Sequence, residues 1–236
     1  MSAPKKLVVN ADALGRSSAC DAAIFRAHRE GILTSTSLMV NGAVAAAAVA
    51  EAKGLAQLGL GLHLTFTEVP PVLPIAQIRT MVDSHGILPA RPEALVAADS
   101  REVLAEARAQ LRRFRELVGR PPSHFDSHQH AHRLPAIFEA LVVLAWETGV
   151  AVRSTTPEMR DRLRHERVTT PDRFIEGVLG PDFSIERLLA EVDLGFTEIG
   201  FLPISPEDGM LVGLADREAR QVIQAAGIRL VHYGGL

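Results

Sequence analysis

Short β-rich runs alternate with helical segments along most of this chain, and this alternation constrains the fold more than any other feature. The first run, Lys6–Asp12, ends in polar residues, and a helical pattern then runs from Ser17 until Gly31 closes it. Strands separated in this way by helices form parallel sheets. The sequence therefore predicts an α/β fold, namely a single (β/α) TIM-like barrel that is distorted or incomplete.

The same reading assigns further elements and one long loop. Residues 69–92 are rich in proline and lack clear periodicity, which predicts a loop over the site that could act as a substrate lid. With 236 residues, 47% of them hydrophobic, the chain fits one domain over 1–236. The remaining strands are predicted at 34–41, 59–67, 124–127, 150–154, 197–202 and 228–233, and the remaining helices at 43–53, 100–118, 134–148, 184–193 and 216–226. The last strand is expected to close the barrel.

Charge and cysteine content exclude several function classes. A net charge of −3 provides no broad basic field, so nucleic acid and anionic membranes are not expected partners and a small-molecule substrate fits better. The N-terminus lacks the long apolar stretch of a signal peptide or membrane helix. The single cysteine, Cys20, excludes an intrachain disulfide. We expect a cytoplasmic protein, and a homodimer is left open.

A histidine-rich segment offers metal ligands. Asp126, His128, His130 and His132 alternate along the chain, and on an extended strand such side chains share one face. Imidazole is a common ligand of zinc and related metals. The alternative is a histidine-rich surface turn, because the spacing matches no established zinc motif on a helix. Trp146 and Phe138, on the helix that follows, are expected in the core.

Polar residues at the carboxyl ends of barrel strands converge on one mouth, and three candidates occupy such ends. They are Asp12, His63 and His128. Arg153 ends another predicted strand on the same rim, where it is expected either to bind substrate oxygen atoms or to form a surface salt bridge.

Four ordered segments resemble the motifs of the YdjC family, which includes chitooligosaccharide deacetylases and hopanoid-associated deacetylases. The resemblance implies a (β/α) barrel that uses a divalent metal, zinc or magnesium, to remove acetyl from an N-acetylated sugar or related amide. It implies that Asp12 is the general base and that His63 and His128 are metal ligands. The segments are 10–15 (NADALG), 31–42 (GILTSTSLMVNG), 61–65 (GLHLT) and 125–132 (FDSHQHAH).

Two positions depart from the family pattern. Ala13 stands where the family has a metal-binding aspartate, so metal binding is expected to be weakened or lost unless His130, His132 or Asp126 supplies the third bond. Leu202 stands where the family has the histidine expected to protonate the departing amine. Otherwise His130 and His132, like Arg153, are candidate substrate-binding residues.

Three hypotheses about function therefore remain open. The first is a metal-dependent deacetylase whose activity is in doubt because of Ala13 and Leu202. The second is a catalytically silent family member that binds an acylated sugar or a partner. The third is a metal-free enzyme in which Asp12 and a histidine form an acid-base pair.

Overall fold

The computed structural model describes residues 5–176, 184–192, 195–203 and 217–235. The strands in these ranges are β1 (Lys5–Leu14), β2 (Ser35–Leu38), β3 (Gly59–Leu64), β4 (His124–Ser127), β5 (Ala151–Val152), β6 (Arg173–Glu176), β7 (Phe196–Phe201) and β8 (Ile228–Leu230). The α-helices are α1 (Ser18–Glu30), α2 (Ala45–Ala52), α3 (Ser100–Val118), α4 (Pro135–Thr148), α5 (Pro157–His165), α6 (Ile185–Glu191) and α7 (Arg217–Ala225). Short 3₁₀ helices cover Ile75–Gln77, Pro92–Leu95, His128–Arg133 and Tyr233–Gly235.

One curled parallel sheet contains all of these strands, in the order β5-β4-β3-β2-β1-β7-β6, with β8 also paired to β1. Within the described residues no strand pairing joins β5 to β6, so the barrel stays open at that seam. The predicted α/β class and incomplete TIM-like barrel are confirmed. The prediction that the last strand closes the barrel is wrong. Because β1 pairs with β2 only from Asn10 onward, its first residues leave an edge that β8 occupies beside Lys5–Leu7.

Strand β1 carries an irregularity at the site. Its register against β2 shifts between Ala11 and Leu14, and Ala13 has a φ of 63°. The left-handed conformation is uncommon for alanine, whereas aspartate and asparagine adopt it more readily. The strand therefore deforms directly after Asp12.

Helices cover the outer face of the sheet. Helix α3 is capped at its N-terminus by Asp99, whose carboxylate accepts a hydrogen bond from the Arg101 N–H, and at its C-terminus by Gly119 in the left-handed conformation. Its inner stripe, spaced three and four residues apart, packs in the core. That stripe consists of Val103, Ala107, Leu111 and Phe114. Within the described part of the chain, no helix combines the length and apolar character that crossing a membrane requires.

Some local expectations were wrong. Trp146 is 59% exposed, with its indole N–H donated to the Glu166 carbonyl, whereas Phe138 is buried as expected. Strand β6 and helix α5 were not predicted, because both are short and lie in a segment dominated by charged residues.

The predicted lid segment is anchored on α3, where Glu106 accepts hydrogen bonds from the backbone N–H groups of Val72 and Leu73.

Candidate active site

Side chains from the carboxyl ends of several strands converge at one mouth of the half-barrel. Asp12 lies on β1, His63 on β3, and His128 directly after β4, and the rings of the two histidines are 5.5 Å apart between centroids in an edge-to-face arrangement. All three side chains are buried. The structure thus brings these sequence-predicted residues together, as parallel topology requires.

Arg153 fixes the orientation of Asp12. Its Nη1 and Nη2 donate to the two carboxylate oxygens of Asp12 at 2.9 and 2.8 Å, and its Nε and Nη2 donate to Glu198 Oε1 at 3.0 and 2.7 Å. Nη1 also lies 3.0 Å from Asp126 Oδ2. The guanidinium is fully buried, so the expected surface salt bridge is instead an interior one. The planar guanidinium group carries several N–H donors in a fixed arrangement, which suits it to bind more than one carboxylate at once.

A second layer supports the Arg153 network from below. The Tyr233 hydroxyl donates to Glu198 Oε2, and the Tyr233 ring stacks on His124 with centroids 4.2 Å apart. Burial raises the pKa of the Glu198 carboxyl, although Arg153 opposes that shift. Gly61 makes room for this stack, since a Cβ there would lie 2.2 Å from the His124 ring.

One ring nitrogen of His63 has no hydrogen-bond partner among the described residues of the site. Its Nδ1 lies 2.9 Å from Asp126 Oδ1, and Ser37 donates to the other oxygen of that carboxylate at 2.8 Å. The His63 Nε2 is buried and has no hydrogen-bond partner among the described residues. Burial lowers the pKa of His63, but the Asp126 carboxylate outweighs that effect and raises it overall. The contact with Asp126 assigns the ring proton of neutral His63 to Nδ1 and leaves Nε2 with a free lone pair.

His128 faces a carboxylate that the sequence reasoning missed. Its Nε2 lies 3.0 Å from Glu68 Oε2, and Gln129 donates to Glu68 Oε1 at 3.0 Å. Burial, followed by the nearby charge of His63, lowers the pKa of His128, which favours the neutral imidazole that binds metals. Glu68 follows β3 at the same edge as the predicted ligands, and that position was the available signal.

His130 and His132 do not share a strand face with His128, so the predicted alternation is wrong. Strand β4 ends at Ser127, and the following 3₁₀ segment has φ values of 52° and 50° at Gln129 and His130. His130 Nε2 contacts Glu176 Oε1 at 2.8 Å, while His132 Nδ1 contacts Ser127 Oγ at 2.6 Å. Their participation in substrate binding stays a prediction, as does that of Arg153.

The described residues fit a divalent metal through two imidazoles. The Nε2 of His63 lies beside the ring of His128 and has no hydrogen-bond partner among the described residues. A histidine that binds a metal through one ring nitrogen commonly donates its other ring N–H to a carboxylate, and His63 has such a contact with Asp126. Ala13 provides no donor. Ligand atoms of Asp12, His63 and Asp126 lie within 4.8 Å of one another, but both carboxylates already face the Arg153 guanidinium. A dication among them would repel that buried cation.

A groove of about 490 Å³ lies at the open seam of the barrel, between β6 and the residues that follow β5. The Phe174 ring lies on its wall, with the Arg153 guanidinium carbon 4.9 Å from the ring centroid. Gly200 leaves space for this ring, because a Cβ there would come within 2.6 Å of it. The groove is lined by Ser154, Thr155, Thr156, Pro157, Arg160, Asp172, Arg173 and Phe174.

Known proteins resemble this chain over most of its length. The YdjC-like protein family matches residues 6–203. A carbohydrate deacetylase of Brevibacillus brevis is 33% identical and aligns over 98% of this chain and 99% of its own. A chitooligosaccharide deacetylase of Proteus mirabilis is 33% identical over 79% of this chain and 74% of its own.

Solved structures extend the comparison to the fold. The crystal structure of a candidate cellobiose-phosphate cleavage protein from Enterococcus faecalis V583 superposes with a TM-score of 0.87 at 27% identity, covering 98% of both chains. The Bc1960 peptidoglycan N-acetylglucosamine deacetylase has a TM-score of 0.57 at 12% identity, covering 98% of this chain and 88% of its own. The latter similarity concerns the fold alone.

Proposed function

The chain belongs to the YdjC-like protein family, and on that premise we propose that it is a carbohydrate deacetylase. As such it is a hydrolase that cleaves the C–N bond of an acetamido group on an N-acetylated sugar or a related amide. One observation carries the proposal: the Asp12 carboxylate, held through both oxygens by Arg153, faces the same mouth as the His63 and His128 rings. A fixed base beside two imidazoles suits attack of water on an amide carbonyl.

We propose a divalent metal as the cofactor, bound by His63 and His128, with zinc favoured over magnesium because imidazole prefers zinc. When bound, it would act as a Lewis acid that polarises the acetyl carbonyl and stabilises the charge developing on its oxygen. Asp126 would keep the His63 ring oriented through Nδ1, so that Nε2 stays available.

Asp12 would accept the proton of the attacking water. Asn10 donates to its Oδ1 at 2.8 Å, in addition to the two bonds from Arg153, so the carboxylate has little freedom to rotate. A base that is already oriented avoids an ordering cost during the reaction. In this role Arg153 is a positioning residue, and Glu198 and Tyr233 hold it in place.

The departing amine needs a proton, and Leu202 cannot supply it. Glu198 contacts Arg153 inside the half-barrel, a Cβ on Gly200 would approach Arg153 Nη2, and Leu202 directly follows this strand, β7. We therefore propose low turnover. This feature, together with Ala13, also favours the second candidate, a catalytically silent member that binds an acylated sugar.

The groove beside Phe174 is the proposed sugar site. Hydroxyl groups of Thr155 and Thr156, the Arg160 guanidinium and an aromatic ring offer the mixture of polar and stacking contacts that a sugar uses. We also propose a single domain over 1–236 that acts in the cytoplasm, with 69–92 as a lid and a homodimer as one possible assembly.

The test is acetate release from N-acetylglucosamine oligomers by the zinc-loaded protein. We expect measurable release from the parent and loss of it in Asp12→Asn. Glu116→Gln, which changes an exposed carboxylate on α3, should leave the rate unchanged. If the parent binds the oligomers by calorimetry yet releases no acetate above the Asp12→Asn background, the silent alternative replaces the deacetylase.

A further inference from the structure

The anionic donors around His63 and His128 differ in how they are engaged. Both oxygens of Asp12 accept hydrogen bonds from Arg153, and Asp126 is shared among His63, Ser37 and Arg153. The carboxylate of Glu68 contacts neither Arg153 nor Asp126 in the described part of the chain. Its Oε2 lies 3.5 Å from Nη2 of Arg16, but the Arg16 side chain is 42% exposed and can turn into solvent, so the Glu68 charge can balance a cation between the two imidazoles.

Glu68 also lies at a suitable distance from the His128 ring. Two donors that bind one tetrahedral zinc at about 2.1 Å each are separated by about 3.4 Å. Glu68 Oε2 and His128 Nε2 are 3.0 Å apart, which is close to this separation. The donor atoms of Glu68, His63 and His128 do not all lie within 4.8 Å of one another, so the Glu68 and His128 side chains would have to turn toward His63 to share one ion.

The local backbone is strained in a way that aims this carboxylate at His128. Glu68 has a φ of 64° and Gln129 a φ of 52°, and both conformations are unfavourable for residues with a side chain. The Glu68 N–H donates to the Pro89 carbonyl, and Gln129 donates to Glu68 Oε1. Strained residues that the surroundings hold in place often mark functional positions.

We propose that Glu68 supplies the third protein donor of the metal centre, beside His63 and His128, and substitutes for the carboxylate that is absent at Ala13. This inference rests on the proposed metal-dependent function and specifies its cofactor site. Two histidines, one glutamate and an open position form one of the donor sets that catalytic zinc uses. The exposed fraction of the Glu68 side chain, 36%, leaves room for the movement required.

Metal binding is the direct test, with zinc and cobalt(II) as the probes. Zinc affinity is measured by competition with a chelating indicator for the parent, Glu68→Gln and His63→Ala. We expect Glu68→Gln to lower zinc affinity at least 100-fold, since removing an outer hydrogen-bond partner alone costs about 10- to 100-fold. Glutamine keeps the shape and an acceptor oxygen, so a supporting role for Glu68 alone should cost less than 100-fold in zinc affinity.

The matched control is Glu176→Gln, which alters the carboxylate that contacts His130 in the same segment. It should leave zinc affinity unchanged. The visible spectrum of the cobalt(II) protein should change for Glu68→Gln because a donor is lost, and should not change for Glu176→Gln. Circular dichroism melts establish that each variant is folded. Adding Ala13→Asp to Glu68→Gln should restore binding.

The outcomes separate this inference from the proposed function. If Glu68→Gln binds zinc within threefold of the parent while His63→Ala loses it, Glu68 is not a ligand, whatever the acetate assay gives. If the parent binds no zinc, the inference is overturned as well. If zinc is bound through Glu68 but no acetate is released, the metal site stands and the deacetylase proposal fails.

Discussion

The His63 Nδ1 lies 2.9 Å from Asp126 Oδ1, and this contact decides which nitrogen of the ring faces the mouth of the half-barrel. The opposite nitrogen, Nε2, is buried with no partner among the described residues. Asp126 thereby orients His63, and Ser37 in turn orients Asp126.

Asp126→Asn should weaken zinc binding by about 10- to 100-fold, because the neutral amide no longer favours the Nδ1–H form of His63. The measurement is chelator competition at constant pH. Asp161→Asn, an exposed change, is the control. An affinity for Asp126→Asn within twofold of the parent would show that the contact does not organise a metal ligand.

Restoring the family residues at positions 13 and 202 should raise zinc affinity with the first change and acetate release with the second. Ala13→Asp should raise zinc affinity, and the fold should tolerate it because aspartate adopts the φ of 63° at this position more readily than alanine. Acetate release should rise only slightly, since Leu202 still provides no proton. Adding Leu202→His should then increase turnover further by about 100- to 10000-fold.

The repair experiment compares the parent, both single variants and the double variant, by zinc stoichiometry and by acetate released from N-acetylglucosamine oligomers. A parent as active as the double variant would mean that Ala13 and Leu202 are not defects. Failure of Ala13→Asp to increase zinc binding would mean that position 13 is not directed at the metal.

His124 should make stability fall in acid. Burial lowers the pKa of His124 from 6.5 to about 3 in the folded protein. Below pH 6.5 the unfolded chain binds a proton that the native state does not, so the free energy of unfolding decreases as pH falls from about 6.5 toward 3. For this one group the loss between pH 7.5 and pH 5 is about 2 kcal/mol.

The check is urea unfolding of the parent and His124→Asn at those two pH values. Between the two pH values the free energy of unfolding should change by about 2 kcal/mol less in the variant than in the parent, whatever the absolute stability of the variant. His85→Asn, on the exposed part of the 69–92 segment, serves as control. An unchanged difference in His124→Asn would contradict a buried neutral imidazole.

Tyr233→Phe should lower stability by about 1 to 3 kcal/mol, because Glu198 loses a buried donor while the stacking on His124 remains. It should also slow acetate release without changing zinc affinity, since the disturbance passes through Glu198 and Arg153 to Asp12. Thermal melts, zinc titration and acetate kinetics measure the three effects. A change in zinc affinity comparable to that of Asp126→Asn would place Tyr233 in the metal site instead.

Sequence patterns predicted the parts of this molecule that depend on regular alternation. Parallel strands place Asp12, His63 and His128 at one edge whatever the details of their contacts, so those residues could be found from spacing and strand ends. The order of strands and helices followed from the same argument, except for β6 and α5.

Contacts between distant segments could not be predicted in this way. Arg153 was expected at the rim because it ends a strand, yet the incomplete barrel turns it inward to meet carboxylates 141 and 45 residues away along the chain. The histidine segment depends on two left-handed residues, Gln129 and His130, that interrupt the extended backbone after Ser127. Glu68 carried no motif, and only the folded site reveals its partner.

The hydrogen bond from Tyr233 to Glu198 has a consequence for biosynthesis. The hydroxyl that completes the supporting network of Asp12 is synthesised 221 residues after Asp12 itself. The nascent chain can form much of the sheet while Arg153 and its three carboxylates still lack that last hydrogen bond. Assembly of this network is thus tied to synthesis of the chain as far as Tyr233, and a nascent chain that stops earlier cannot complete it.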